Sequence, residues 1–198
     1  MATPDGPDIR SSGPRRRSSY AQRRERRAAV DDVNEVLDAA ARYLEARPRS
    51  VDEVRRRLTA AGYRTELVET TIGRLVSVGY LDDEAFARAW VESRDRAHPR
   101  GELALRRELR LKGVERSVIE TVLDERRMSS DDGEPTDPDA AAARQLLSRH
   151  ERALMRVSDL RRRRQRAYAM LARNGFAPDV CAAVATAWLT ETGADSPS

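Results

Sequence analysis

Residues 58–72 read LTAAGYRTELVETTI, and the same arrangement returns twice, as LRLKGVERSVIETVL at 109–123 and LARNGFAPDVCAAVA at 171–185. In each copy a leucine stands four residues before a glycine and an apolar residue follows the glycine. Further apolar or small residues stand five, six and nine or ten positions beyond it. Glycine accepts the left-handed backbone that ends a helix, so Gly62, Gly113 and Gly175 each mark the close of one helix and the approach of the next. The three glycines are 51 and 62 residues apart. A period of this size is the signature of a repeat architecture in which no unit buries its own apolar face alone.

The preceding helices agree with the repeat. Val54 corresponds to Leu105 and Ala167, and Arg55-Arg56 to Arg106-Arg107. Upstream of Gly62, Ser50 and Glu53 form a capping box that starts a helix at Val51, whose apolar face is Val51, Val54, Leu58 and Ala61. Arg56 points away from that face, with Arg55 and Arg57 on its flanks. Val33, Val36, Leu37, Ala40, Tyr43 and Leu44 recur at helical spacing and mark an earlier helix, ended by Pro48. A third helix carries Leu67, Val68, Ile72, Leu75 and Val76 and stops at Gly79.

The segment GYLDDEAFARAWVESR (79–94) then joins two units. Tyr80 and Leu81 are read as apolar anchors at the joint, Asp82 as the cap of the next helix, and Asp83 and Glu84 as favourable charges in its first turn. Phe86 and Trp90, one turn apart, share a face. Alternating apolar patterns and two-residue hairpin signals are missing from the body. The sequence therefore predicts an all-α fold of three tandem three-helix repeats, helix-turn-helix-like, stacked into an elongated, curved array.

The expected layout is a disordered basic arm at 1–29, repeats at 30–81 and 82–127, an acidic linker at 128–139, a third repeat at 140–192 and a disordered end at 193–198. Eight arginines face three acids in the arm, more than the chain's formal excess of +4. The linker MSSDDGEPTDPD (128–139) holds Asp131, Asp132, Glu134, Asp137 and Asp139 without a base. Lys112 is the only lysine.

Enzyme chemistry lacks an inventory. His98 and His150 have no Cys or second His at metal spacing, and Cys181, set among Val180, Ala182, Ala183 and Val184, reads as an inert packed thiol. No phosphate-cradling glycine loop follows a strand. Neither metal nor cofactor is expected, and no apolar run approaches the roughly 18 residues that span a bilayer. A single cysteine and a high charged fraction fit a cytoplasmic protein acting by binding, as a monomer.

The succession RPRSVDEVRRRL (47–58), GYLDDEAFARAWV (79–91) and RGELALRRELRLKGV (100–114) resembles the RecX family of recombination regulators, densely over residues 42–124. RRQRAYAMLARNGF (163–176) looks like the family's third repeat. The resemblance implies three tandem three-helix repeats and a non-enzymatic modulator of the RecA recombinase. Such a protein lodges in the groove of the RecA filament on single-stranded DNA and limits filament growth, ATP hydrolysis, strand exchange and coprotease activity. Together with the charge pattern it nominates Arg47, Arg49, Arg55, Arg56, Arg94, Arg100, Arg106, Arg107, Arg110, Lys112, Arg162 and Arg163 as contacts to the filament or its DNA. Gly62, Gly79, Tyr80, Leu81, Asp82, Asp83, Phe86, Trp90, Gly101, Gly113 and Gly175 are nominated as the structural motif. The alternatives are a direct DNA-binding regulator built from helix-turn-helix-like units and a generic helical scaffold.

Overall fold

The computed structural model describes residues 19–128 and 137–194, which form ten α-helices and no strand. They are α1 (Tyr20–Ala28), α2 (Val33–Leu44), α3 (Val51–Ala61), α4 (Thr65–Ser77), α5 (Asp83–Ala97), α6 (Glu102–Leu111), α7 (Arg116–Met128), α8 (Pro138–Met155), α9 (Leu160–Arg173) and α10 (Pro178–Ala194). After α1 the helices group in threes, and each unit buries its apolar face in a core of its own, contrary to the expectation that no unit does so alone. Val36, Val54, Leu58, Val68, Ile72 and Leu81 form the first core, Phe86, Leu105, Leu109, Ile119 and Leu123 the second, and Leu147, Leu171, Phe176, Cys181 and Trp188 the third.

The recurring Leu-xxx-Gly-apolar motif has one cause. Gly62, Gly113 and Gly175 adopt φ of +104°, +78° and +82°. The turn lets the amides of Tyr63, Val114 and Phe176 donate back to the carbonyls of Leu58, Leu109 and Leu171, at 3.3, 3.1 and 3.3 Å. Each leucine thus fills the core with its side chain and terminates the helix with its carbonyl. At the other end of α3, Ser50 accepts from the Glu53 amide at 3.1 Å while the Glu53 carboxylate accepts from the Ser50 amide at 3.4 Å. Asp82 accepts from the Glu84 and Ala85 amides at 2.8 and 3.0 Å, starting α5.

The units are joined through their second helices. At the first junction the Ser50 hydroxyl donates to the Lys112 carbonyl at 2.5 Å, and the Val51 amide donates to Asp83 at 2.9 Å. Its counterpart at the second junction has the Gly101 amide donating to the Asn174 carbonyl at 3.1 Å and Leu103 to the Gly175 carbonyl at 3.2 Å, with the Glu102 amide on Asp139 at 2.9 Å. In both, the N-terminus of one second helix meets the glycine-terminated end of the next unit's second helix. An aspartate from the first turn of that unit's first helix takes an orphan amide. The helices α9, α6 and α3 so run head to tail, positive dipole end against negative.

Close approach, more than backbone freedom, explains Gly101. Its φ of −73° suits any residue and matches that of Ser50, but a Cβ there would overlap the backbone of Gly175 and Phe176. The second junction is further fixed by Arg126, whose side chain is only 8% exposed and which bridges Asp139 at 2.6 Å and Asp95 at 2.9 Å.

Two expectations are corrected. Residues 20–28 of the expected disordered arm are helical: Ser19 and Gln22 form a capping box, and α1 lies on the C-terminal end of α3. There the Tyr20 hydroxyl donates to the Ala60 carbonyl at 3.1 Å, and Arg27 sits 5.7 Å over the Tyr63 ring. This end of α3 is the one at which α6 and α9 each receive the preceding unit, so α1 covers the first position of the column. Tyr80 is 74% exposed rather than an anchor. The left-handed turn at Gly79 sends the Tyr80 and Leu81 amides back to the Leu75 carbonyl, which buries Leu81 in the first core and turns Tyr80 outward. The rest of the arm, at 1–18, most of the acidic linker, at 129–136, and the end at 195–198 lie outside the described residues.

Two variants separate backbone strain from junction packing. Gly79 has φ +73° with open space where a Cβ would go, so Gly79→Ala is expected to cost only the left-handed strain, about 1–2 kcal/mol. Gly175→Ala adds overlap with Ala104 and should cost clearly more in urea denaturation; equal losses would contradict the junction. Asp139→Ala leaves the Glu102 amide unpaired and the Arg126 guanidinium with Asp95 alone, and is expected to cost about 1–3 kcal/mol, read as a separate, earlier unfolding of α8–α10.

Candidate partner-binding surface

The nominated cations divide by what they touch. On α3, Arg55 grips Glu69 of α4 with two bonds, at 2.7 and 3.2 Å, and the guanidinium's hydrogen bond holds the Glu69 carboxyl below its ordinary pKa. On α6, Arg106 repeats the arrangement, bonding Glu120 of α7 and also Glu102 at 2.6 Å. These two arginines, nominated with Arg56 and Arg107 as contacts to the filament or its DNA, tie the second helix of a unit to its third.

A second group is spent around Trp90 and the first junction. Glu108 accepts from the Trp90 indole at 2.9 Å and from Arg94 at 2.7 Å, and the Arg94 guanidinium lies 4.4 Å over the indole ring. Lys112 lies 4.8 Å from the same ring's centroid and bonds Glu53 at 2.8 Å. Burial works to raise the Glu53 carboxyl, but the bond and charge of Lys112, the Ser50 amide and the charge of Arg47 together leave the pKa lowered. Arg100 bonds the Asn174 side chain across the second junction, and Arg49 stacks 4.2 Å over Tyr43. Phe86 packs beside Trp90 with ring centroids 6.0 Å apart.

Arg163 requires a correction. It is 9% exposed, its Nε donates to the Val157 carbonyl at 2.9 Å, and Nη1 contacts the Met155 sulfur at 3.3 Å. The signal was in the sequence: Arg163, Ala167 and Leu171 fall at i, i+4 and i+8, so this arginine lies on the apolar stripe of α9.

The outward-facing remainder is Arg107, Arg110 and Arg162, exposed and with no ion-pair or hydrogen-bond partner for the guanidinium group among the described residues, with Arg47 and Arg56 half committed. Arg47 reaches Glu53 at 3.4 Å, and Arg56 reaches Asp52 at 2.8 Å and the Leu111 carbonyl at 3.2 Å. Arg161 and Arg164, in the same arginine run as Arg162, are likewise exposed, with no partner for the guanidinium group among the described residues.

The two junction aspartates are shifted the other way, upward. Burial raises Asp139 against the opposing Glu102 amide and Arg126, and burial raises Asp83 against the Val51 amide. Both serve as helix caps. Cys181 is buried, with its thiol pKa pushed up by desolvation, and donates to the Phe176 carbonyl. Among the described residues no group of three or more His, Cys, Asp or Glu is placed to hold a metal, and no helix is long and apolar enough to cross a membrane. The surface can offer guanidinium groups to carboxylates or phosphates.

Comparison with known proteins agrees with this organisation. Residues 37–75 match the model of the RecX first three-helix domain, and residues 82–123 that of the second. The chain is 32% identical over 166 residues to the regulatory protein RecX of Streptomyces coelicolor, covering 84% of each chain. It is 38% identical over 145 residues to that of a Mycobacterium species, covering 73% of this chain and 76% of the relative. A crystal structure of RecX from Lactobacillus salivarius superposes with a TM-score of 0.67 at 18% identity, over 81% of this chain and 98% of that one. A second, described as regulatory protein RecX, gives 0.62 at 21% identity, over 83% and 72%. The chain belongs to the RecX family of regulatory proteins.

Proposed function

We propose that this chain is a modulator of the RecA recombinase, acting in the cytoplasm as a monomer and by binding alone. It sits in the groove of the RecA filament on single-stranded DNA and limits filament growth, with loss of ATP hydrolysis, strand exchange and coprotease activity. The observation that carries the reading is the similarity of both three-helix domains, and of most of the chain, to proteins named regulatory protein RecX. The geometry supports it. A linear series of units coupled through α3, α6 and α9 presents cations at intervals along one body, which suits a target that itself repeats.

Such a body acts by differential affinity: a filament state that fits the array is populated at the expense of states that do not. Arg107, Arg110 and Arg162, with Arg56 and Arg47, are the contacts in this proposal. Arg55, Arg94, Arg100, Arg106, Lys112, Arg49 and Arg163 act indirectly, by holding the array in shape.

Titration of the protein into RecA assembled on single-stranded DNA with ATP, following turnover and filament length together, tests the proposal. Both are expected to fall in parallel. Arg107→Glu with Arg110→Glu should weaken the effect by about tenfold, near 1.4 kcal/mol, with helicity unchanged. Unaltered ATP turnover at saturating wild-type protein would overturn the reading.

A further inference from the structure

The third unit breaks a rule that the first two keep. Counted from the left-handed glycine, Arg55 and Glu69 stand seven residues before and seven after Gly62, and Arg106 and Glu120 stand likewise about Gly113. Each pair bridges the second and third helices of its unit. About Gly175 the same positions hold Tyr168 and Ala182. A charged clamp is thus replaced by an aromatic ring and a methyl group.

The consequence is an open cleft of about 670 Å³ between α9 and α10, lined by Arg161, Arg164, Gln165 and Tyr168 on one side and Ala182 and Thr186 on the other. Arg161, Arg164 and Tyr168 recur at i, i+3 and i+7, along about 10 Å of a single helix face. Tyr168 is 37% exposed, and its ring borders a floor of small side chains that leaves room for a flat group.

Charge follows the same division. Residues 33–77 hold eight bases and seven acids and residues 83–128 eleven and ten, whereas residues 138–194 hold ten arginines and five acids. Helix α9 itself contains no acid, so the arginines at the cleft have no neutralising carboxylate on their own helix, and neither is paired elsewhere among the described residues. Free guanidinium groups beside an exposed ring over an uncrowded floor are the components of a single-strand platform. Phosphates meet the cations, an unstacked base lies on the ring, and Gln165 offers both donor and acceptor to a base edge.

We propose that the α9–α10 cleft binds single-stranded nucleic acid, with a base stacked on Tyr168 and flanking phosphates held by Arg161 and Arg164. The site deepens the filament-modulator reading by assigning the strand contact to the third unit. A duplex keeps its bases stacked and offers the ring nothing. An acidic protein segment would use the arginines but has no need of Tyr168.

Fluorescence anisotropy of a labelled oligothymidylate and of a duplex of equal length, with the full chain and no RecA, tests the assignment. Tyr168→Ala is expected to weaken oligothymidylate binding by about tenfold while Tyr168→Phe retains it. Arg161→Glu with Arg164→Glu should weaken it further and flatten the log-log salt slope by about 1.4, near 0.7 for each lost phosphate contact. Tyr168→Arg with Ala182→Glu rebuilds the clamp of the other units; it should fold, close the cleft and abolish the Tyr168-dependent binding. Unchanged affinity in Tyr168→Ala or in the rebuilt clamp would overturn the proposal. So would equal binding of duplex and single strand, or displacement of Tyr168-dependent binding by polyglutamate but not by unlabelled oligothymidylate. Wild-type protein that inhibits RecA yet ignores oligothymidylate removes only this site. Binding of oligothymidylate without any effect on RecA removes only the proposed function.

Discussion

The whole array depends on one contact made twice: the glycine-terminated end of a second helix pressed against the N-terminus of the second helix before it. Helix ends are where backbone donors and acceptors lack partners, and a repeat protein that abuts them satisfies both sets at once. Ser50 with Lys112 and Gly101 with Asn174 show the same solution in different residues. Asp83 and Asp139 complete each joint from the next unit's first helix at the cost of burying a carboxylate. The second joint is made between backbones and the first through the Ser50 hydroxyl on a backbone carbonyl, so both demand that nothing project from Gly101, Gly113 or Gly175.

Much of this was legible because it is local. Capping residues, left-handed glycines and the apolar period each act within one or two turns, so Ser50, Asp82, Gly62, Gly113 and Gly175 could be assigned from spacing. Helix α1 was equally legible, since Ser19 and Gln22 stand at capping-box spacing; the arginine-rich composition around them masked it. Arg163 could have been placed by its register with Ala167 and Leu171.

What the sequence withheld was the state of each arginine. Arg55 and Glu69 are fourteen residues apart, as are Arg106 and Glu120, and their meeting depends on how two helices pack. The reach of Arg100 to Asn174 and of Arg149 to the Arg96 carbonyl depends on how two units dock. A surface reading of arginines therefore overstates the free charge of the first two units. It also misses that the third unit has lost its clamp. The same scaffold so divides its cations between fastening helices and facing a partner, and for the arginine seven residues before the glycine the division follows from whether a carboxylate stands seven residues beyond it.

The array holds together only if the second helices form one continuous column. First-turn amides of an isolated helix exchange freely, because no carbonyl of their own helix reaches them. Residue-resolved hydrogen exchange at Gly101, Glu102 and Leu103 measures the column directly. The account predicts protection comparable to that of Leu105 and Leu109 inside α6; exchange at the rate of an open helix end would contradict it.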